Sequence, residues 1–220
     1  MSGQPIQPEE FLAAVKPLLE RQDLCGLLSL LKSRWTAQQI VDLLKCRHCD
    51  TRKVAALALG LVGGKCCLGP LSDQLKDPDP VVNEMAEHAL WSIWFRSGNE
   101  QANQLLCKGA QAMDDRDLRC AVKQFTRAVE LDPQFAEAYN QRAIAHYLLE
   151  QWDKTVADCA KTVELMPCHF GAWAGLGHGH AHAGRLREAL GAYEKALSIN
   201  PHQECLTEAI DELKRQIESE

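Results

Sequence analysis

The second half of this 220-residue chain repeats itself with a step of about 34 residues, the feature that most limits how it can fold. Pro133, Pro167 and Pro201 follow one another at this interval. The same step links Phe125, Cys159 and Tyr193. A period of this size is typical of stacked helix pairs, in which small residues let two helices approach, large ones fill the gap and proline ends the second helix. We therefore predict one helical hairpin per period.

The third copy of the repeat matches the pattern W-x2-L-G-x2-Y…A-x3-F…P most closely, through Trp173, Leu176, Gly177, Ala189, Tyr193, Ala196 and Pro201. It resembles the tetratricopeptide repeat, a helix–turn–helix unit. The second copy departs from the pattern at Thr155, Cys159 and Thr162, which we expect the fold to tolerate as near-isosteric replacements. The resemblance implies three units, at about residues 102–135, 136–169 and 170–203.

A further helix is predicted over residues 204–219, after the third unit. Its apolar residues have helical spacing with charges between them, namely Leu206, Ile210, Leu213 and Ile217. A terminal repeat needs such a capping helix to cover its open face.

The first half carries a weaker period of about 31 residues, in which Ile40 and Leu44 recur as Leu71 and Leu75. This resembles short HEAT repeats, which are also paired helices. Helix-end signals agree with it, namely a capping box at Thr36 with Gln39, Asp79 before Pro80, and Gly63-Gly64.

The two halves together define the predicted architecture. We predict an all-α fold, an α-solenoid of helical hairpins with about thirteen helices and no strands. The HEAT-like repeats occupy residues 1–98, and the tetratricopeptide domain occupies residues 99–220, after the short SGNE turn at 97–100.

Charge and cysteine content restrict the partners and the compartment. The net charge is −6, and residues 100–220 carry 13 basic against 19 acidic side chains, a poor match for a phosphate backbone, so we expect no nucleic acid. No run of about 18 apolar residues and no secretion signal occurs, so we expect no membrane span. The ten cysteines lie within apolar helical patterns. Such placement suits a reducing compartment, and we expect a cytoplasmic protein.

The stretch GLGHGHAHAG, residues 175–184, places histidines at every second position. His180 takes the tyrosine position of the repeat and is expected to point into the repeat packing. His178 and His182 are four residues apart and share a helix face, a spacing that can hold zinc. No third ligand lies nearby in sequence, so polar groove residues are the favoured interpretation of this pair.

The cysteines of CRHC, Cys46 and Cys49, together with Cys66 and Cys67, approach the pattern of a zinc site. A helix of about 14 residues, and so about 21 Å long, is predicted between the two pairs, which is too far apart for one tetrahedral ion. An inter-helix turn is the favoured interpretation of Cys46 and Cys49, with a metal or thiol-redox role as the alternative.

The segment ALWSIWF, residues 89–95, puts Trp91 and Trp94 on one side of a helix. Rings this large bury much surface and dominate interfaces. The favoured interpretation is that they fill the junction between the two stacks, and the alternative is an exposed anchor for a partner.

The tetratricopeptide resemblance implies a concave groove, and we expect its lining to include Asn103, Leu106, Met113, Glu137, Asn140, Ile144, Tyr147, Ala174, His178 and His182. Some domains of this family hold the C-terminal carboxylate of chaperones with lysines, asparagines and an arginine. The matching positions here are Leu106, Ala110, Gln141, Gly171 and Gly175. We therefore do not expect that carboxylate clamp.

These observations predict a non-catalytic scaffold or adaptor that binds another protein or peptide in the groove, without a cofactor. No nucleophile with its base and no phosphate loop is recognisable in the sequence. The alternative is a metal- or redox-responsive adaptor that uses His178 and His182, or Cys46 and Cys49.

Overall fold

The computed structural model describes residues 5–219. Within this range the protein is all-helical, with thirteen α-helices, one short 3₁₀ helix and no strand, which confirms the predicted fold class of stacked helical hairpins. The helices form two compact units, the first ending at Ile93 and the second beginning at Trp94.

The first unit contains pairs of short helices in the order α1 Pro8–Glu20, α2 Leu24–Arg34, α3 Ala37–Leu43, α4 Cys49–Val62, the 3₁₀ helix Lys65–Cys67, α5 Leu68–Gln74 and most of α6 Pro80–Phe95. Helix α4 is central, because α1, α2 and α3 all pack against it. Fully buried apolar side chains from several helices form its core, among them Phe11, Leu31, Ile40, Leu59 and Leu71.

The predicted helix ends of the first unit are confirmed. The Thr36 hydroxyl accepts from the Gln39 amide at 3.3 Å while the Thr36 amide donates to the Gln39 side chain at 2.9 Å, a complete capping box. The Asp79 carboxylate accepts from the Val81 amide at 2.9 Å at the start of α6. Helix α4 ends at Val62, immediately before Gly63.

The second unit contains three hairpins and a last helix, namely α7 Glu100–Asp114 with α8 Leu118–Leu131, α9 Ala136–Leu148 with α10 Trp152–Leu165, α11 Phe170–His182 with α12 Leu186–Ile199, and α13 Glu204–Glu218. Each helix packs on the next, and α9 also contacts α7 and α11. The first helices of the three hairpins therefore form one face of the stack.

Each of the three hairpins turns through the same backbone conformation. Arg116, Glu150 and Gly184 occupy the left-handed region with φ of 60°, 56° and 73°. The residue after each donates its amide to a carbonyl five positions earlier, at 2.8–2.9 Å, which satisfies an otherwise free carbonyl at the helix end.

Packing inside the hairpins follows residue size. A Cβ built on Gly109 would lie 2.3 Å from the Phe125 ring, and one built on Gly177 would lie 2.3 Å from the Tyr193 ring. Only glycine allows these rings to lie so close to the facing helix. The last helix completes the stack, because its buried residues pack against Ala189, Tyr193 and Ala196 of α12; they are Leu206, Ile210 and Leu213.

Candidate functional site

A cavity of about 220 Å³ opens between α9, α10 and α11 of the second unit. Its lining residues are Asn140, Ala143, Ile144, Tyr147, Thr155, Cys159, Gly171, Ala174, Gly175 and His178. We call the face of α9 and α11 that carries this cavity the groove. Five residues predicted from the sequence as partner contacts lie together here: Asn140, Ile144, Tyr147, Ala174 and His178.

The floor of the cavity consists of small side chains from α10. Thr155 and Cys159 are both buried, at 1% exposure each. The Thr155 hydroxyl donates to the Gln151 carbonyl at 3.3 Å and lies 3.4 Å from the Ala143 carbonyl, so its polar group is turned toward backbone. Burial raises the pKa of the Cys159 thiol to about 12, so this sulfur stays protonated and is a poor nucleophile.

Sequence reasoning missed the importance of this floor. It treated Thr155 and Cys159 as near-isosteric replacements within the repeat, but Cys159 is much smaller than Phe125 or Tyr193 at the same position. The fold tolerates the change, and the missing ring leaves space. The signal was present in the sequence as the departure of the second copy from the repeat pattern.

Histidine and tyrosine side chains pair along the rim of the cavity. The Tyr193 hydroxyl lies 2.7 Å from Nδ1 of His178, and the Tyr147 hydroxyl lies 2.9 Å from Nε2 of His182. Trp152 stacks on His182 with ring centroids 4.4 Å apart and an interplanar angle of 14°. Trp152 and Tyr193 are rim residues that sequence analysis did not assign to the groove.

The protonation states at the rim follow from their surroundings. Desolvation, and secondly the nearby His182, lower the pKa of His178, so this ring is neutral at neutral pH. Burial raises the pKa of Tyr193 to about 12, so its hydroxyl keeps its proton. The hydrogen bond between the Tyr193 hydroxyl and Nδ1 of His178 therefore joins two neutral groups, and the rim is uncharged there.

The histidines at the tyrosine position of the second and third repeats, His146 and His180, have structural partners. Nδ1 of His180 accepts from the Arg185 guanidinium at 2.9 Å, and Nδ1 of His146 lies 2.9 Å from the Gln151 side-chain oxygen. His146 is buried and His180 is half-buried, as expected for the tyrosine position of the repeat.

The geometry around His178 and His182, and around Cys46 and Cys49, does not support the metal or redox alternative. Among the described residues no group of three or more histidines, cysteines or acidic side chains is arranged to hold a metal ion. His178 and His182 each use one ring nitrogen for a tyrosine hydroxyl. Cys46 and Cys49 are partly buried free thiols, and the Lys53 ammonium lies 3.9 Å from the Cys49 sulfur.

A second polar cluster lies at the start of α9 and α11. Glu137 and His169 are fully buried, and Nε2 of His169 donates to the Glu137 carboxylate at 2.8 Å. The other carboxylate oxygen accepts from Gln141 at 2.7 Å and from Asn140 at 3.2 Å. Nδ1 of His169 accepts from the Ala172 amide at 3.0 Å, which caps α11. This arrangement ties the two helices together.

Trp94, one of the two tryptophans predicted to fill the junction, packs against this cluster. The Trp94 ring stacks on His169 with centroids 3.9 Å apart and also contacts Phe170. Trp94 is fully buried, so the alternative of an exposed anchor is wrong for this residue. Trp91 is half-buried.

The structure corrects two groove predictions. Leu106 and Glu137 are 0% exposed, so a partner cannot reach either side chain in this conformation. Both carry packing instead, Leu106 in the core of α7 and α8 and Glu137 in the pair with His169.

The remaining predicted groove residues lie outside the cavity lining. Asn103 donates to the Arg96 and Gly98 carbonyls at 3.3 and 2.8 Å, and Met113 packs beside the core of α7 and α8. His182 lies next to the cavity, on the far side of Tyr147.

Two repeat families match the chain. HEAT repeats match residues 37–124, and the tetratricopeptide repeat matches residues 170–203. These matches confirm the predicted resemblance to tetratricopeptide and HEAT repeats. Among the described residues, no helix combines the length and apolar character needed to cross a membrane.

Curated relatives named for tetratricopeptide repeats match part of the chain. The chain is 30% identical over 119 residues to small glutamine-rich tetratricopeptide repeat-containing protein 2 of Mycosarcoma maydis, an alignment that covers 54% of this chain and 34% of the relative. It is 28% identical to a TPR repeat-containing protein of Rhizobium etli, covering 68% of this chain and 74% of that protein. The chain thus spans about a third of the first relative's length.

A solved structure shows the same fold. The first tetratricopeptide domain of Spaghetti (RPAP3), bound to the HSP90 peptide SRMEEVD, superposes with a TM-score of 0.53 at 22% identity, over 54% of this chain and 94% of that one. The comparison does not support our expectation that a carboxylate clamp is unlikely in this chain. That question passes to experiment.

Proposed function

We propose that the second unit binds a peptide segment of another protein in the groove, and that the chain acts as a non-catalytic adaptor. The carrying observation is the cavity of about 220 Å³ between α9, α10 and α11, which is apolar inside and has hydrogen-bonding groups at its rim. Concave sites of this kind suit ligands that bury apolar surface and are oriented by a few polar groups.

Exposed apolar surface beside the cavity supports the same function. Ile144 is 38% exposed and Leu148, one turn further along α9, is 53% exposed. An extended segment or an apolar helix face laid along α9 would cover both side chains.

The chemistry of the cavity favours binding over catalysis. Its thiol, Cys159, and the phenol of the adjoining Tyr193 both have a pKa raised by burial to about 12, so neither is activated as a nucleophile at neutral pH. All ten cysteines are free, which is consistent with a reducing compartment, and we place the adaptor in the cytoplasm.

The fold comparison supports a peptide ligand by analogy. The domain of Spaghetti with the same fold holds a peptide, SRMEEVD. Of the five positions where the clamp residues are expected, Leu106 is fully buried and Gln141 is 8% exposed in this chain. Whether an acidic C-terminus enters this groove is therefore a direct question for the binding assay.

The test is selection of binders from a random peptide library on the full chain, followed by affinity measurement with purified peptides. Ile144→Glu places a charge beside the cavity, and we expect it to weaken the selected peptides by roughly tenfold or more. Leu131→Glu is the matched control, because Leu131 is 48% exposed on α8 outside the lining. It should leave binding unchanged.

Two results would count against the groove. Failure of any peptide to enrich would remove the proposed function, and equal affinity in the Ile144 and Leu131 variants would move the binding surface elsewhere. The peptide SRMEEVD is measured in the same assay. Binding that is lost in the Ile144 variant would assign an acidic C-terminus to this groove.

A further inference from the structure

The cavity exists because the second repeat lacks a ring that its neighbours carry. The first and third repeats have Phe125 and Tyr193 where the second has Cys159. Those rings require a glycine on the facing helix, since an added Cβ would lie 2.3 Å away from them. The facing residue in the second repeat is Ala143, so a ring at position 159 would collide with its methyl group. The open space is therefore part of how this repeat packs.

The opposite wall is also kept small. Gly171 and Gly175 of α11 line the cavity, and a Cβ built on Gly175 would lie 2.9 Å from the Cys159 sulfur. Glycine is less favourable than alanine inside a helix. Two of them on one wall leave the cavity open at the expense of helix stability.

The size and polarity of the cavity define what it can hold. At about 220 Å³ it exceeds the roughly 150 Å³ cavity that accepts benzene. No charged side chain lines it, so a charged group inside would be desolvated without a counter-ion. Tyr193 bonds to His178 and Tyr147 bonds to His182, so these four side chains already use part of their hydrogen-bonding capacity within the protein.

We propose that this cavity is an anchor pocket that takes one uncharged apolar side chain, about the size of leucine or phenylalanine, from the bound peptide. The proposal rests on the proposed function and specifies the partner's chemistry. Burying a side chain of this size contributes about 1.5–3 kcal/mol, which corresponds to at least roughly tenfold in affinity. The anchor residue of the partner segment is therefore leucine-like or phenylalanine-like, and not acidic or basic.

The pocket itself is tested with toluene, the side-chain analogue of phenylalanine, by NMR titration of the full chain. We expect saturable shifts at the methyl groups of Thr155 and Ala174. The double variant Ala143→Gly with Cys159→Phe rebuilds the glycine–ring pair of the first repeat and fills the space, so the shifts should disappear. Ala174→Leu fills the pocket from α11 and serves if the double variant does not fold.

The anchoring role is tested with a peptide selected on the wild-type chain. Replacing its apolar residues one at a time by alanine should reveal one position that costs roughly tenfold, and aspartate there should cost more. The filling variants should weaken the intact peptide and abolish the difference between it and the anchor-alanine peptide. Gly191→Ala on α12, outside the lining, is the control that should change neither.

The outcomes separate this proposal from the proposed function. The filling variants are Ala143→Gly with Cys159→Phe, and Ala174→Leu. If Ile144→Glu weakens peptide binding but the filling variants do not, the anchor pocket is overturned while binding in the groove is retained. Absence of toluene shifts in the wild type would also overturn it. If no peptide binds the wild type, both proposals fail, because there is then no partner side chain to anchor.

Discussion

The second and third hairpins of the second unit, which are the second and third repeats, have helices of equal length and the same left-handed turn, but their interiors differ. The third pairs Gly177 with the Tyr193 ring, whereas the second pairs Ala143 with Cys159. The third has apolar Leu176 and Ala192 one residue earlier on the two helices, both buried in one cluster. At those places the second repeat has a charged pair, Arg142 and Asp158, with guanidinium-to-carboxylate distances of 2.8 and 2.7 Å.

The difference extends to the start of the repeats. Glu137, buried against His169, occupies the position that Gly171 holds in the third repeat. The second repeat is therefore held by the hydrogen-bonded pairs Arg142–Asp158 and Glu137–His169, while the third is held by ring packing. Arg142, Asp158 and Glu137 do not line the cavity, which lies beside Ala143 and Cys159.

The largest expected effect comes from breaking the buried pair at the start of α9. Glu137→Ala leaves the His169 ring nitrogen and two side-chain amides without their acceptor in a site closed to water. We expect a loss of about 3–5 kcal/mol in the free energy of unfolding, measured by urea denaturation. Glu164→Ala is the control, because Glu164 pairs with Lys161 at the surface and should cost at most about 1 kcal/mol. Equal losses in the two variants would contradict the buried pair.

The next effect comes from the charge pair that the third repeat lacks. Arg142→Leu leaves Asp158, about one tenth exposed, without its bidentate partner, and we expect a loss of about 2–3 kcal/mol. The double variant Arg142→Leu with Asp158→Ala copies the pair of the third repeat and should unfold within about 1 kcal/mol of the wild type. A double variant as unstable as the single variant would show that the loss does not come from leaving the Asp158 carboxylate without its partner.

A smaller effect is expected when Gly177 of the third repeat is replaced by alanine, the residue that the second repeat has at the same position as Ala143. Gly177→Ala drives a methyl group into the Tyr193 ring, so stability should fall by about 1–3 kcal/mol despite the better helix propensity of alanine. Gly191→Ala has open space around the new methyl group and should gain up to about 1 kcal/mol. Thermal unfolding of both variants tests whether packing against the Tyr193 ring is the reason for glycine at position 177. A stabilised Gly177 variant would refute it.

The smallest effect is the pH dependence of stability. Desolvation is the main cause that lowers the pKa of His146 in the second repeat and of His178 and His180 in the third. The unfolded chain binds protons at these histidines at the ordinary pKa of 6.5, before the folded chain does. The contribution of these rings to stability is therefore constant well above that pH and falls as the pH drops below it.

Melting temperatures measured in steps from about pH 7.5 to about pH 5.5 should show this decline. Because two of the three rings belong to the third repeat, His178→Gln with His180→Gln should flatten the curve more than His146→Gln does. A melting temperature that rises on acidification would contradict the predicted loss of stability below pH 6.5.

Periodicity predicted the fold because the signals that set it are local. The spacing of Pro133, Pro167 and Pro201 predicted the hairpins, and Thr36 with Gln39 predicted a helix start that the structure confirms. The helix start depends on two residues within one turn of each other, and the prolines recur at a constant step along the chain. The capping helix followed from the spacing of its apolar residues in the same way.

The site was only partly predictable, since its features depend on residues distant in sequence. Glu137 and His169 are 32 positions apart, and their burial involves Trp94 from a still earlier helix. The repeat pattern assigns Glu137 to a groove face and gives no sign that its partner and a tryptophan enclose it. The cavity likewise needed the combined sizes of Ala143 and Cys159, which neither position reveals alone.

The shared left-handed turns at Arg116, Glu150 and Gly184 restrict how the length of this chain can vary. Each connects its two helices with a fixed number of residues and a backbone hydrogen bond that closes it. One inserted residue would rotate the following helix by about 100° and turn its buried face outward. Exchange of side chains on the helices leaves this register intact, whereas an insertion or deletion at one of these corners would disrupt the packing of its hairpin.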